Sequence, residues 1–143
     1  MHIIEPSTPE ERQHYYELRW KILRAPWGKQ PGSEQDDLED TSTHLMVVDD
    51  DKSILGVGRL HFNSIQEAQI RYMAVASAHQ RTGIGTLLLN ELELKASALG
   101  ATRVSIDARE TALRFYRKHG YVPVGPARVL YKTIAHVKMT KQL

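Results

Sequence analysis

Gln69-Ile-Arg-Tyr-Met-Ala-Val75, Ala76-Ser-Ala-His-Gln80, Arg81-Thr-Gly-Ile-Gly85 and Thr86-Leu-Leu-Leu89, running on to Leu99, read in turn as a strand, a short loop and a helix. The helix rests on Ile84, Leu88, Leu92, Ala96 and Leu99, spaced by three and four, with Asn90, Glu91, Glu93 and Ser97 elsewhere around the cylinder. Gly83 and Gly85 fall in its first turn, where the leading N–H groups lack intrahelical acceptors and the helix dipole leaves partial positive charge. Glycine lets a phosphate reach that backbone without meeting a Cβ, and Arg81 adds a permanent charge with a fork of donors. The stretch has the makings of an anion site.

Spacing narrows the anion. A Walker loop needs a Gly-Lys-Ser/Thr ending, and a dinucleotide fingerprint needs a third glycine where Leu88 stands, so neither nucleotide motif is met. What remains is Gln80-x-x-Gly83-x-Gly85 behind a strand ending in Met73-Ala74-Val75. This is similar to the Q/R-x-x-G-x-G/A motif of the GNAT acetyltransferase superfamily, which follows such a strand and opens a helix. Farther on, Ala112-x-x-Phe115-Tyr116-x-Lys118-x-Gly120-Tyr121 resembles the superfamily's A-x-x-F/L-Y-x-K-x-G-F segment. Arg109 departs from the pattern, since many relatives carry Asn about there. The resemblance covers nearly the whole chain.

Composition sets the outer bounds. With 143 residues, 41% hydrophobic and 25% charged, the chain suffices for one core and not for two, so one domain over 1–143 is expected. The absence of cysteine excludes disulfides, thiolate metal sites and a cysteine nucleophile. The start, Met1-His-Ile-Ile-Glu-Pro6, lacks a basic region and a long apolar run, and no window approaches a membrane-spanning length. A soluble, cytoplasmic protein without membrane association is the expectation. A formal charge of +2 with scattered basic residues gives no argument for nucleic acid.

Along the chain, His2–Glu5 reads as a first strand closed by Pro6, and Ser7 or Thr8 as the cap of a helix that Pro26 stops. Tyr15, Leu18 and Ile22 point inward on that helix; Arg12, Glu17, Arg19, Lys21 and Arg24 are expected on solvent or a cleft. The segment from Trp27 to Asp40 reads as a loop with at most one helical turn, whose Asp36, Asp37, Glu39 and Asp40 could attract an ammonium group. Thr43–Val48, Ser53–Phe62 and Glu67–Val75 form an antiparallel meander, with Gly56 and Gly58 signalling close packing or a bulge. The helix at 83–99 then crosses over to a parallel strand, Arg103–Asp107. A helix ending at Gly120, a strand at Val122, a loop at Pro123, Gly125 and Pro126, and a last strand within Tyr131–Leu143 complete the reading. His136 in that strand is read as structural.

The resemblance implies an α/β (α+β) fold: a mixed, mostly antiparallel sheet flanked by helices, with a splayed central strand pair. It implies acetyl-CoA as co-substrate, its pantetheine arm pairing with backbone near Met73, Ala74 and Val75. Its pyrophosphate would lie on Gln80, Arg81, Thr82, Gly83, Ile84, Gly85 and Thr86, with Tyr116 beside the sulfur as general acid. The implied reaction is acetyl transfer to a primary amine of a small molecule or polypeptide by direct attack, with no metal. In the histone-acetyltransferase branch a glutamate serves as base where this chain has Gln69, which cannot accept a proton. Glu67, two residues earlier on the same strand face, and His61 on the neighbouring strand are the remaining base candidates. A CoA-binding regulatory module of the same fold, without turnover, is the alternative, and a homodimer is left open.

Overall fold

Alternation along the sheet decides which helix covers which face. The computed structural model describes residues 1–143. Its elements are β1 (His2–Ile4), α1 (Pro9–Leu23), β2 (Thr43–Val48), β3 (Ile54–Phe62), β4 (Glu67–Val75), α2 (Ile84–Ala98), β5 (Arg103–Arg109), α3 (Leu113–Lys118), β6 (Val122–Leu130) and β7 (Ile134–Gln142). They build one sheet of order β1-β2-β3-β4-β5-β7-β6, in which β4–β5 is the only parallel pair. Leu45 and Val47 of β2 pack with Ile84, Leu88, Leu89 and Leu92 of α2 on one face. Met46 and Val48 pack with Tyr15 of α1 on the other. This is the expected mixed, mostly antiparallel sheet flanked by helices.

Local chemistry explains the helices. Thr8 caps α1 through a capping box, its side chain accepting from the Glu11 N–H while the Glu11 carboxylate accepts from the Thr8 N–H, each at about 3 Å. The two β3 glycines let α2 lie close: a Cβ at Gly56 would stand 2.8 Å from Ile84, and one at Gly58 2.8 Å from Leu92. Opposite Gly58, β4 carries one extra residue, since Arg59 pairs with Arg71 and Val57 with Ala74. Tyr72 sits in this bulge with φ +57°.

Three expectations need correction. Leu99 lies past the end of α2 and is exposed, while Leu89 joins the buried stripe. Arg19 is fully buried rather than on solvent or a cleft, for reasons given below, whereas Arg24 is buried but lines the cleft. Pro123, Gly125 and Pro126 lie within β6 rather than in a loop; β6 is the edge strand, where proline costs no ladder bond, and its register shifts beside them.

Candidate active site

The site is organised by a fork between β4 and β5. These strands pair from Glu67↔Arg103 to Ile70↔Ile106 and then part, although β5 continues to pair with β7 as far as Arg109↔His136. The β5-facing backbone of Arg71–Val75 is therefore left without a strand partner. A cleft opens there, lined by Met73, Ile106, Asp107, Arg109, Tyr116 and His136 among others.

On the α2 face, one end of the fork meets the loop 80–86. Gln80 ties the loop back to β4, donating from Nε2 to the Val75 carbonyl at 3.2 Å, and the Thr82 hydroxyl donates to the His79 carbonyl. Arg81 and Gly83 both adopt left-handed backbone, φ +65° and +90°, which turns successive amides toward one side. Gly83 caps α2 without a side-chain bond, and the first helical bond at this end runs from the Leu87 N–H to the Gly83 carbonyl. The amides from Arg81 to Thr86 thus find no acceptor within the protein. Space around the Gly83 Cα is open, whereas a Cβ at Gly85 would stand 3.3 Å from the Phe115 ring. Here the backbone alone makes a cradle for an anion.

Tyr116 is held on α3 against Phe115 and Tyr121, with ring centroids 5.1 and 5.8 Å away. It is buried yet lines the cleft, and burial pushes its hydroxyl up to about 12, so it keeps its proton at neutral pH. The structure thus brings together Met73, Tyr116 and the fork, with the cradle at the adjoining helix end.

It does not bring Glu67 or His61 to that cleft. Glu67 lies at the closed end of the β4–β5 pair, its carboxylate 2.8 Å from Arg103 Nε and 3.0 Å from Asn63 Nδ2. Those bonds hold its pKa below the usual carboxylate value. His61 has both ring nitrogens engaged: Nδ1 accepts from Arg59 at 3.1 Å and Nε2 donates to Asn63 Oδ1 at 3.1 Å. Burial and the Arg59 charge depress its pKa.

Two proton acceptors that sequence reasoning passed over do line the cleft. Asp107 is the first β5 residue beyond the last β4–β5 pair. His136, buried on β7, has Nδ1 at 3.0 Å from the Ile134 carbonyl, to which it donates. Burial and the Arg128 and Arg109 charges outweigh that bond and hold its pKa below the ordinary histidine value, so the ring is neutral at pH 7. The crossover at β4–β5 was the one sequence signal for Asp107; nothing in the sequence places His136 in the same cleft.

The α1 face of the sheet is built on charge. Arg19 and Arg59 are fully buried and share Glu39 at 2.9 and 2.7 Å; Arg59 also grips Asp36 at 2.6 and 3.0 Å, and Arg71 reaches Asp36 at 3.1 Å. The Tyr72 ring, turned to this face by the bulge, takes the Arg19, Arg71 and Arg59 guanidiniums at 4.3, 4.5 and 4.9 Å. Partial burial opposes ionisation of Asp36, but the bonds from Arg59 and the Leu38 N–H and the charges of Arg59 and Arg71 prevail. They hold its carboxyl well below the usual range. Asp36 and Glu39 are therefore spent on internal arginines and are not free to draw in an ammonium group, as the sequence suggested. They pin the 34–40 segment against the sheet.

The family profile of the acetyltransferase (GNAT) domain matches residues 25–143. YjcF of Bacillus subtilis strain 168, named as an uncharacterized N-acetyltransferase, is 31% identical over 112 residues, covering 78% of this chain and 79% of YjcF. A Lactobacillus plantarum crystal structure described as an N-acetyltransferase is 26% identical over 99% of this chain and 97% of its own, with a TM-score of 0.85. A GNAT family acetyltransferase of Elizabethkingia anophelis, solved with acetyl-CoA bound, shares the fold at 18% identity, TM-score 0.76, over 99% of this chain and 97% of its own. The chain belongs to the GNAT acetyltransferase family, and it is an acyltransferase.

Proposed function

We propose that this chain, acting as one domain over residues 1–143, transfers an acetyl group from acetyl-CoA to an amine by direct attack. The observation that carries the reading is the fork with unpaired β4 backbone beside a loop whose amides, Arg81 to Thr86, have no acceptor of their own. These are the two things an extended, pyrophosphate-bearing thioester requires, a strand partner and an anion cradle. The acetyl-CoA bound to the E. anophelis relative supports the same assignment.

In this reading Gln80, Arg81, Thr82, Gly83, Ile84, Gly85 and Thr86 hold the pyrophosphate, and the backbone of Met73, Ala74 and Val75 pairs with the pantetheine arm. A backbone N–H of that stretch is the donor for negative charge developing on the carbonyl oxygen. The amine nitrogen forms a bond to the carbonyl carbon as the C–S bond breaks, and Tyr116 gives its proton to the departing sulfur. The amine's proton passes to an acceptor in the cleft, Asp107 or His136, rather than to Glu67 or His61, which lie outside it. Tyr116 favours an enzyme over a regulatory CoA-binding module, because it lines the cleft and its hydroxyl has no hydrogen bond within the protein. Incubation with acetyl-CoA and an amine panel is expected to release thiol above the rate of hydrolysis, with the acetylated amine identified by mass. Binding of acetyl-CoA without thiol release for any amine would leave the regulatory module instead. Loss of turnover in Asp107→Asn or in His136→Gln, with acetyl-CoA affinity intact, identifies the base.

A further inference from the structure

Charge in the cleft is lopsided. Four guanidiniums reach it, from the residue that ends α1 (Arg24), β4 (Arg71), β5 (Arg109) and β6 (Arg128), against one carboxylate, Asp107. Arg71 is paired with Asp36, which it shares with Arg59. Arg24, Arg109 and Arg128 are in none of the ion pairs of the fold. Arg24 is buried, yet it donates only to neutral acceptors, from Nε to the Ser33 carbonyl at 3.1 Å and from Nη1 to the Leu23 carbonyl at 3.0 Å. Arg109 donates to that same Leu23 carbonyl at 3.1 Å and lies 4.7 Å over the Trp27 ring. Burial and the neighbouring Arg24 charge hold its pKa below the usual guanidinium value. Arg128 is brought in by a bulge: Pro126 pairs with Val137 and Val129 with Ala135, so Ala127 and Arg128 together oppose His136.

Burying like charges side by side costs several kcal/mol per ion unless a counter-charge is supplied, and the fold supplies none to the buried Arg24, the half-buried Arg109 or the exposed Arg128 beside them. Elsewhere on the same face Arg19, Arg59 and Arg71 each have a carboxylate partner, with Asp36 and Glu39 shared among the three. The contrast points to a counter-charge that arrives with a ligand. The phosphates of acetyl-CoA are served by the cradle at the start of α2, on the opposite face of the sheet from α1 and its arginines.

We propose that the acceptor is an amine bearing an anionic group, a carboxylate or a phosphate, held by Arg24, Arg109 and Arg128 while Asp107 faces its ammonium end. This rests on the acetyltransferase reading and adds the acceptor's class to it. The guanidinium fork bonds two oxygens of either anion, so the chemistry is shared and the two sources must be separated by experiment. A charge-assisted bond of this kind corresponds to a factor of roughly 10 to 100 in affinity.

The test uses matched acceptors on the whole protein: amino acids against their amides, amino-sugar phosphates against the free amino sugars, and diamines as cationic controls. The anionic member of at least one pair is expected to show kcat/KM about 10 to 100 times that of its neutral partner, and which pair responds tells carboxylate from phosphate. Arg128→Gln, at an exposed position, should remove most of that preference through KM, with little change for the neutral partner. Arg24→Gln should do the same, and Arg128→Gln keeps the test decisive should burial make Arg24→Gln fold poorly. Equal use of both members of every pair, or preference for diamines, overturns the proposal, as does acetyl-CoA binding with no anionic amine acetylated. Calorimetry of wild type with acetyl-CoA separates the two readings: absence of binding overturns the acetyltransferase assignment itself, and this proposal with it.

Discussion

Two regions of this molecule are built to attract negative charge, and they do it by opposite means. The loop 80–86 uses backbone amides fixed by two left-handed residues and a helix start. The α1 face uses guanidiniums, some neutralised inside the fold and three left for a ligand. The amide cradle is made from six consecutive residues, Arg81 to Thr86, whereas the arginines come from positions 24, 71, 109 and 128, gathered only by the sheet. A backbone site leaves a spacing in the sequence; a side-chain site assembled across strands leaves scattered charges that look solvated.

The comparison breaks most easily at the glycines. Gly83→Val, at φ +90°, and Gly85→Val, whose Cβ starts 3.3 Å from Phe115, should each cut acetyl-CoA affinity by about 100-fold or more with the far-UV spectrum retained. Unchanged affinity by calorimetry would remove the cradle from the account. Next in size is Tyr116→Phe, which keeps the ring packed and deletes only the hydroxyl. A thiolate is a tolerable leaving group, so kcat should fall by roughly 10 to 100 times with acetyl-CoA affinity nearly constant, as steady-state rates would show. Turnover at the wild-type rate, with chemistry limiting, would show that Tyr116 is not the acid.

Smaller effects sharpen the contrast. Arg81→Ala removes an exposed charge from a cradle that remains, so affinity should drop only about 3- to 10-fold, more at low salt than at high. The guanidinium face should instead show in acid stability. His44, His61 and His136 all have folded pKa values below the ordinary histidine value, burial being the first cause, with arginine charges adding to it. The unfolded chain thus binds more protons once pH falls below about 6.5, and stability present above that pH is lost as it falls toward the folded values. The Asp36 contribution persists through this window, because its carboxyl titrates well below it. Thermal melts should give a Tm about 2–6 °C lower at pH 5.5 than at pH 7.5. An unchanged Tm would show that these rings lose nothing on protonation.

How far the sequence reached follows the same division. Periodicity placed Ile84, Leu88, Leu92 and Ala96 in the core, and Gly56 and Gly58 foretold the close approach of α2. The meander and the parallel crossover were legible because they depend on local pattern and connection length. Arg19 was misread as a surface charge because its burial depends on Glu39 and Tyr72, 20 and 53 positions away in the chain. β6 was read only at Val122, its start, because the prolines that follow read as loop unless the strand is known to be an edge. In the candidate site, the cradle and Tyr116 were visible in motifs. Asp107 and His136 were not, since their place in the cleft depends on where β4 and β5 stop pairing.

The most direct test of the central claim, that anions are divided between amides on one face and guanidiniums on the other, is a nitrogen-15 NMR titration of the protein with acetyl-CoA. The account predicts that the amides of Arg81 to Thr86 shift and gain protection from solvent exchange, while the side-chain signals of Arg24, Arg109 and Arg128 stay in place until an anionic amine is added. Shifts at those three arginines on adding acetyl-CoA, with the amides of 81–86 unmoved, would contradict it.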